Sequence, residues 1–184
     1  MWIALGVIVV LLIYVIAMYN GLVSRRNQAK EAWSTIDTQL KRRYDLIPNL
    51  VNAVKGAIKH ESGTLIELTR ARTAAMGATD PADRAAAENK LSGALKTVFA
   101  LAENYPTIRA NENFLELQQE LSDTETKIQA SRQFYNTVVM GLNTMIDQFP
   151  GNFIAKTFHV EKENLFQLDE SEKEAVKKAP KVEF

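Results

Sequence analysis

The chain has 184 residues, 46% of them hydrophobic, and its 22 lysines and arginines balance its 22 aspartates and glutamates. This composition is typical of a folded body, and a surface without excess positive charge argues against nucleic acid as a partner. Because the sequence contains no cysteine, it excludes disulfide bonds, thiolate metal sites, cysteine nucleophiles and a lipid anchor on cysteine.

The first predicted element is a membrane-spanning helix. Residues 2–19 are all apolar or aromatic, and no charged side chain precedes Arg25. A helix of this length rises about 27 Å, close to the hydrocarbon thickness of about 30 Å. The alternatives are a buried core helix and a cleaved signal peptide, but no basic residue precedes the stretch and no good cleavage site follows it. The predicted membrane-spanning positions are Trp2, Leu5, Val9, Leu12, Tyr14, Ile16 and Tyr19.

The orientation of this helix is predicted from the cations that flank it. Arg25, Arg26 and Lys30 follow the apolar stretch, whereas only the α-amino group precedes it. The positive-inside rule therefore predicts an outside N-terminus and a cytoplasmic body. The alternative topology places the body on the outer side.

The first body helix is predicted to continue directly from the anchor. A stripe of apolar residues recurs at helical spacing from Leu22 to Ile47, and no Gly or Pro occurs between Val23 and Ile47. Pro48 lacks an amide donor, so we expect the helix to end or kink there, with Asp45 as a cap for the next helix. The apolar stripe consists of Leu22, Ala29, Trp33, Ile36, Leu40 and Ile47.

Three further helices and a short apolar segment follow in the prediction. The second helix contains the series Leu50, Val51, Val54, Ala57, Ile58, Leu65 and Leu68. Asp80 and Pro81 are typical of a helix start and predict a third helix from 81 to about 103. The fourth is predicted from about 111 to 148 by a heptad-like apolar rhythm, and residues 152–160 are expected to pack back on the helices.

Strong helix formers dominate the body and strand-like alternation is missing, so the predicted class is all-α. Short connections favour antiparallel neighbours, which predicts an elongated antiparallel four-helix-type bundle behind the transmembrane helix. The predicted domains are an anchor at 1–22, a bundle at 23–160 and a charged tail at 161–184, in which Val182 and Phe184 are candidates for docking.

The sequence predicts neither a catalytic site nor a cofactor or metal site. The two histidines, His60 and His159, lack the Glu-x-x-His spacing of di-iron bundles, and phosphate-binding and nucleophile motifs are absent. The run 41–43 is basic, and we expect a solvated or inter-helix paired face there rather than a lipid-binding one. Charged residues near the apolar stripes are predicted to form inter-helix polar layers that fix helix register. These residues are Arg26, Arg43, Glu125 and Arg132.

Several sequence blocks resemble the LemA family. The most specific is Leu-Lys-Arg-Arg-Tyr-Asp-Leu-Ile-Pro-Asn-Leu-Val at 40–51, and the match continues at 19–23, 32–37, 110–114, 132–136 and 179–184. The resemblance implies a bacterial membrane protein with an N-terminal transmembrane helix, a cytoplasmic antiparallel helical bundle and no established enzymatic activity. Relatives are associated with membrane organisation, including magnetosome biogenesis. The implied location is the bacterial inner membrane.

Taken with the residues, these features predict a non-enzymatic, single-pass membrane protein that self-associates as a scaffold and organises or remodels the membrane. Its expected partners are the lipid bilayer and further copies of itself, because tethering in two dimensions raises the effective concentration of weak contacts. The alternative is a membrane-anchored adaptor that recruits a separate, unidentified cytoplasmic protein. An enzyme or metalloprotein is the least supported interpretation, because the sequence has no cysteine and its two histidines lack the spacing of metal ligands.

Overall fold

The computed structural model describes residues 1–56 and 61–166. Within these residues all regular secondary structure is helical. The predicted all-α class, with a long apolar helix at the N-terminus, is confirmed. The helices are α1 (Trp2–Lys55), α2 (Ser62–Gly77), α3 (Pro81–Ala102), α4 (Pro106–Arg109), α5 (Glu112–Asp147) and α6 (Gly151–Thr157).

Helix α1 joins the predicted anchor to the body without interruption, as the sequence predicted. Of the two outcomes expected at Pro48, an end of the helix is wrong, because α1 continues through Pro48 to Lys55. The expected cap is wrong too, because Asp45 lies inside α1 instead of capping another helix. Proline removes the donor that would bind the carbonyl four residues earlier, which belongs to Tyr44. Arg72 of α2 replaces this donor, since its Nε donates a hydrogen bond to the Tyr44 carbonyl oxygen at 2.8 Å.

The predicted second helix is divided in the structure. Leu50 and Val54 belong to the end of α1, whereas Leu65 and Leu68 belong to α2, and all four are buried. Gly56 forms a turn directly after α1, as expected for a residue that costs helix stability. Ala57, Ile58 and His60, which the sequence analysis singled out, lie outside the described residues.

The later helices agree with the predicted ones to within a few residues. Helix α5 begins after Asn111, whose side-chain Oδ1 accepts a hydrogen bond from the Phe114 amide at 3.2 Å and so caps the helix. The single turn α4 was not predicted. It starts at Pro106, a residue that is favourable at the first position of a helix.

The chain divides into two compact units. Unit 1 comprises Met1–Asp37 and Ala130–Leu165. Its core is a cluster of buried apolar side chains against which Met18, Tyr19, Met145 and Ile146 pack. The cluster consists of Leu22, Leu142, Ile154, Ala155 and Val160.

Unit 1 also includes the first residues of the predicted tail. The side chain of Asn143 exchanges two hydrogen bonds with the backbone of Glu163, at 2.9 and 3.1 Å. The Tyr135 hydroxyl donates to the Asn164 carbonyl at 2.9 Å. Residues 161–165 therefore lie against α5. The rest of the predicted tail from 167 onward, with Val182 and Phe184, lies outside the described residues, and the proposed domain boundaries stay a prediction.

Unit 2 comprises Thr38–Gln129 and, among the described residues, Phe166. Its helices α2 and α3 pack on each other, and each of its longer helices contributes apolar side chains to the core. On α1 and α5 the buried positions recur every seven residues, the spacing that keeps one face of a helix against its neighbours. Fully buried or nearly buried side chains include Ile47, Leu50, Val54, Leu68, Leu91, Val98, Phe114, Leu121 and Ile128.

Candidate functional site

The N-terminal part of α1 is an apolar surface that the protein does not cover. This helix is long and apolar enough to cross a membrane, and none of its 18-residue apolar window is buried. Of the predicted membrane-spanning positions, all are exposed except Tyr19, which is half-buried. A buried core helix does not fit these exposures. Apolar side chains in such a run are stable in hydrocarbon rather than in water.

The end of this apolar stretch contacts the body of unit 1. Met18 and Tyr19 are the first residues of α1 that are partly buried, and they pack against the core cluster. The Tyr19 and Phe158 rings lie with their centroids 4.6 Å apart. A Cβ placed on Gly151 would lie 3.9 Å from Met18 Cε. Helix α6 therefore lies beside the last turn of the apolar stretch.

The predicted membrane-flanking cations follow immediately on α1. Arg25, Arg26 and Lys30 are all exposed. Arg26 Nε lies 3.9 Å from Glu163 Oε1, and the Arg25 guanidinium is next to Gly141 of α5. Arg25 and Arg26 thus contact other segments of unit 1 while remaining exposed.

A second candidate site is a buried polar cluster in unit 2. Arg43 lies on the apolar stripe of α1 and is only 2% exposed. Its Nη1 lies 3.3 Å from Glu88 Oε2, and its Nη2 donates to Ser92 Oγ at 2.7 Å and contacts Glu125 Oε2 at 3.0 Å. The Tyr44 hydroxyl donates to the other Glu88 oxygen. The cluster therefore links α1, α3 and α5 through charge-assisted hydrogen bonds.

Burial dominates the electrostatics of this cluster. It raises the pKa of Glu88, while the Tyr44 hydrogen bond and the charges of Arg43 and Arg84 act in the opposite direction. Burial and the neighbouring Glu88 also raise the pKa of Tyr44. A groove of about 260 Å³ reaches Arg43, Ser92 and Glu125, so the cluster is accessible from one side.

Two of the four residues of the predicted polar layer contact each other in the structure. The structure brings Arg43 and Glu125 together, whereas Arg26 contacts Glu163 within unit 1 and Arg132 lies half-buried in the same unit. That these pairs fix helix register stays a prediction.

Three members of the cluster, Tyr44, Glu88 and Ser92, were not predicted from the sequence. Glu88 lies three residues from buried Ala85 and three from buried Leu91. A carboxylate at that spacing on an apolar helix face indicates an interior cation as its partner.

Unit 2 also carries an open apolar groove between the end of α1 and α2. It encloses about 640 Å³ and is lined by apolar and hydroxyl-bearing side chains, including Val51, Leu65 and the exposed Ile66. Two cationic side chains, Lys55 and Arg70, lie in the same lining. This groove was not predicted, because its two walls come from segments that were expected to form one helix.

The start of α5 carries negative charge, opposite to that of the cationic side chains in the groove. Leu115 is half exposed, and the neighbouring Glu112 and Glu116 are exposed as well. An exposed leucine between two carboxylates is the kind of surface that complements an apolar groove with cationic residues.

No group of three or more His, Cys, Asp or Glu residues placed to hold a metal ion occurs in 1–56 or 61–166.

Comparison with known proteins adds two findings. The sequence model of the LemA family matches residues 32–184. The curated Protein LemA of Metamycoplasma hominis is 27% identical over 158 residues, which cover 84% of this chain and 71% of that protein. The family match begins beyond the apolar stretch and includes most of the body.

Proposed function

Because the chain belongs to the LemA family, we propose that it is a non-enzymatic, single-pass membrane protein whose helical body self-associates as a scaffold that organises or remodels the membrane. Family membership and the apolar N-terminal helix fit a membrane-associated protein. The observation that carries the proposal is the apolar stretch, which has no buried residue in its 18-residue window and continues within one helix into the core of unit 1. The anchor is therefore joined to the body without a flexible linker.

We place the body of this protein on the cytoplasmic side of the bacterial inner membrane. The positive-inside rule supports this, because Arg25, Arg26 and Lys30 follow the apolar stretch and remain exposed. The absence of native cysteine allows a direct test with single cysteines. In intact spheroplasts, a membrane-impermeant maleimide should label Trp2→Cys and should label Glu161→Cys only after lysis. The reversed pattern would place the body on the outer side, and labelling of both before lysis would contradict a membrane-spanning helix.

Self-association follows in this proposal from two complementary surfaces of unit 2. The groove that contains Lys55, Ile66 and Arg70 would receive the start of α5 from a second copy, where Leu115 lies between Glu112 and Glu116. Because the two surfaces differ, such a contact is heterologous and each copy keeps one free surface of each kind. Heterologous contacts extend into rings or filaments, and this is the property that a membrane scaffold requires.

Charge reversal tests the contact without touching the core. The variant Lys55→Glu/Arg70→Glu and the variant Glu112→Lys/Glu116→Lys should each sediment as smaller species than the original protein in detergent. An equimolar mixture of the two should recover large species, because every groove then meets a complementary helix on the other variant. Lys90→Glu, an exposed reversal on α3, is the matched control and should assemble normally.

The outcomes distinguish the candidate functions. Unchanged assembly in both reversed variants would overturn this contact, and a strictly monomeric original protein in detergent and in crosslinked membranes would overturn the scaffold. A monomeric chain that copurifies with a different protein in fixed stoichiometry would favour the adaptor. Lysate capture alone would not decide between them, because an apolar groove with cations also retains unrelated acidic proteins.

A further inference from the structure

Unit 1 exposes a group of phenylalanines around its shortest helix. Phe149 precedes α6 and is 85% exposed, Phe153 lies within α6 and is 72% exposed, and Phe158 follows α6 and is 48% exposed. Single exposed apolar residues are common on protein surfaces, whereas three exposed aromatic side chains within ten residues form an apolar patch. The buried core cluster of unit 1 takes Ile154 and Ala155 from this segment and none of the three phenylalanines.

Helix α6 has two distinct sides. Gly151, Ile154 and Ala155 are buried against the core of unit 1. The opposite side exposes Phe153 and Lys156. An exposed aromatic next to a flexible cation is typical of helices that lie in the headgroup region of a bilayer, where the ring is apolar and the amine reaches lipid phosphates.

The position of α6 relative to the apolar stretch defines the depth of this patch. Ile154 and Ala155 belong to the same cluster as Leu22, against which Met18 and Tyr19 pack. The Phe158 ring packs against the Tyr19 ring in a tilted arrangement, with ring centroids 4.6 Å apart. If residues 2–19 cross the hydrocarbon, side chains that contact Met18 and Tyr19 are at the level of the headgroups.

We propose that the corner formed by the end of α5 and α6 inserts Phe149 and Phe153 into the lipid leaflet from which α1 emerges. This inference rests on the proposed membrane span. The occupant of the patch is lipid rather than a second copy, because the patch is continuous with the apolar surface of α1 through the Tyr19–Phe158 contact. Unit 1 then has two membrane contacts, a crossing helix and an interfacial one, and the second contact limits the tilt of unit 1 against the bilayer.

The depth of single tryptophans tests the proposal in the full-length protein. In a Trp2→Phe/Trp33→Phe background, Phe153→Trp in phosphatidylcholine–phosphatidylglycerol vesicles should be quenched more by bromines placed high on the acyl chain than by bromines near its end. Its emission maximum should also lie at a shorter wavelength than that of a tryptophan exposed to water. Val9→Trp reports the span and should show the opposite depth preference. Phe134→Trp is the matched control, because Phe134 is also an exposed phenylalanine of unit 1 but lies about 20 Å along α5 from the end of that helix at Asp147.

Failure of the inference and failure of the span give different results. If Val9→Trp is quenched by lipid and Phe153→Trp is quenched only by aqueous iodide, the corner is in water and the inference is overturned while the span stands. If Phe153→Trp resists both quenchers, a protein covers the patch, which also overturns the inference. If Val9→Trp is not quenched by lipid either, the span itself fails.

Discussion

Arg72 donates a hydrogen bond from its Nε to the backbone carbonyl of Tyr44 at 2.8 Å, across the contact between α2 and α1. This carbonyl is the one that Pro48 leaves without a helical donor, four residues later in α1. A side chain of α2 therefore completes the hydrogen bonding of α1 at the position where the helix would otherwise be weakest. The same bond fixes α2 beside the segment that carries Arg43 and Tyr44.

Removing this donor should destabilise unit 2 through α1. We expect Arg72→Ala to lower the free energy of unfolding by about 1–3 kcal/mol, because it leaves a half-buried carbonyl unpaired. In a Pro48→Ala background the residue 48 amide can bind Tyr44 O, so Arg72→Ala should cost less there. Urea unfolding of the original protein, the two single variants and the double variant, followed by circular dichroism, gives the coupling energy. Arg70→Ala, which removes only a surface pair with Glu67, is the control, and equal costs in both backgrounds would refute the explanation.

The continuity of α1 through Pro48 shows that helix faces can be predicted from local sequence, whereas the end of this helix cannot. The seven-residue recurrence of Leu22, Ala29 and Ile36 is a local signal, and the structure buries all three. The donor that satisfies Tyr44 lies 28 residues away in the sequence, so the local pattern does not decide whether the helix ends at its proline or continues through it. Local periodicity identifies the faces of the helices, whereas partners from distant helices decide their ends.

The candidate sites divide in the same way. The exposed apolar stretch and its flanking cations depend on composition alone and were predictable. Arg43 and Glu125 were predicted as polar residues near apolar stripes, but Glu88, the second carboxylate partner of Arg43, was not, because α3 had no assigned neighbour. The groove around Ile66 requires the break between α1 and α2, which the weak helix formers Gly56 and Gly63 indicate only in part.

Arg43 and its neighbour Arg42 should differ in how much their side chains contribute to stability, because only Arg43 belongs to the buried cluster. Arg43→Ala should cost about 3–5 kcal/mol, because it leaves the Glu88 carboxylate buried without its cation. Arg42 forms only a 3.8 Å surface pair with Glu120, and Arg42→Ala should cost about 0–1 kcal/mol. Thermal and urea unfolding of both variants measures the difference.

A second substitution separates charge from packing at this cluster. If the cost of Arg43→Ala arises from the unpaired carboxylate, then Arg43→Met with Glu88→Met should recover most of the lost stability. A double variant as unstable as Arg43→Ala would instead assign the loss to packing. Its assembly state is also informative, because the polar layer is expected to fix register rather than to supply stability.

Tyr135 should make the protein sensitive to alkaline pH. Burial, assisted by the charge of Glu163, raises the pKa of Tyr135 to about 12, whereas an unfolded tyrosine titrates near pH 10. Between about pH 10 and 12 the unfolded chain has released this proton and the folded protein has not, so the free energy of unfolding falls as the pH rises. Below about pH 10 the contribution is fully present.

The substitution Tyr135→Phe should flatten this alkaline decline. It should also cost about 0.5–1.5 kcal/mol near neutral pH through the lost hydrogen bond to Asn164. The measurement is urea unfolding across the alkaline range, with Tyr105→Phe as a control for the loss of one hydroxyl. Since Tyr44 is present in every variant, its own titration cancels in the comparison, and parallel curves for the original protein and Tyr135→Phe would rule out this assignment.

Two glycines of unit 1 should respond in opposite directions to a single methyl group. A Cβ on Gly151 would lie 2.1 Å from the backbone oxygen of Met145, and because no side-chain rotation relieves such a contact, Gly151→Ala should cost about 1–3 kcal/mol. A Cβ on Gly141 meets nothing closer than Arg25 Nη1 at 3.6 Å, so Gly141→Ala should stabilise α5 by about 0.5–1 kcal/mol. Unfolding midpoints of the two variants test this, and a shift of the same sign in both would show that the close approach of α6 to Met145 does not control the stability of unit 1.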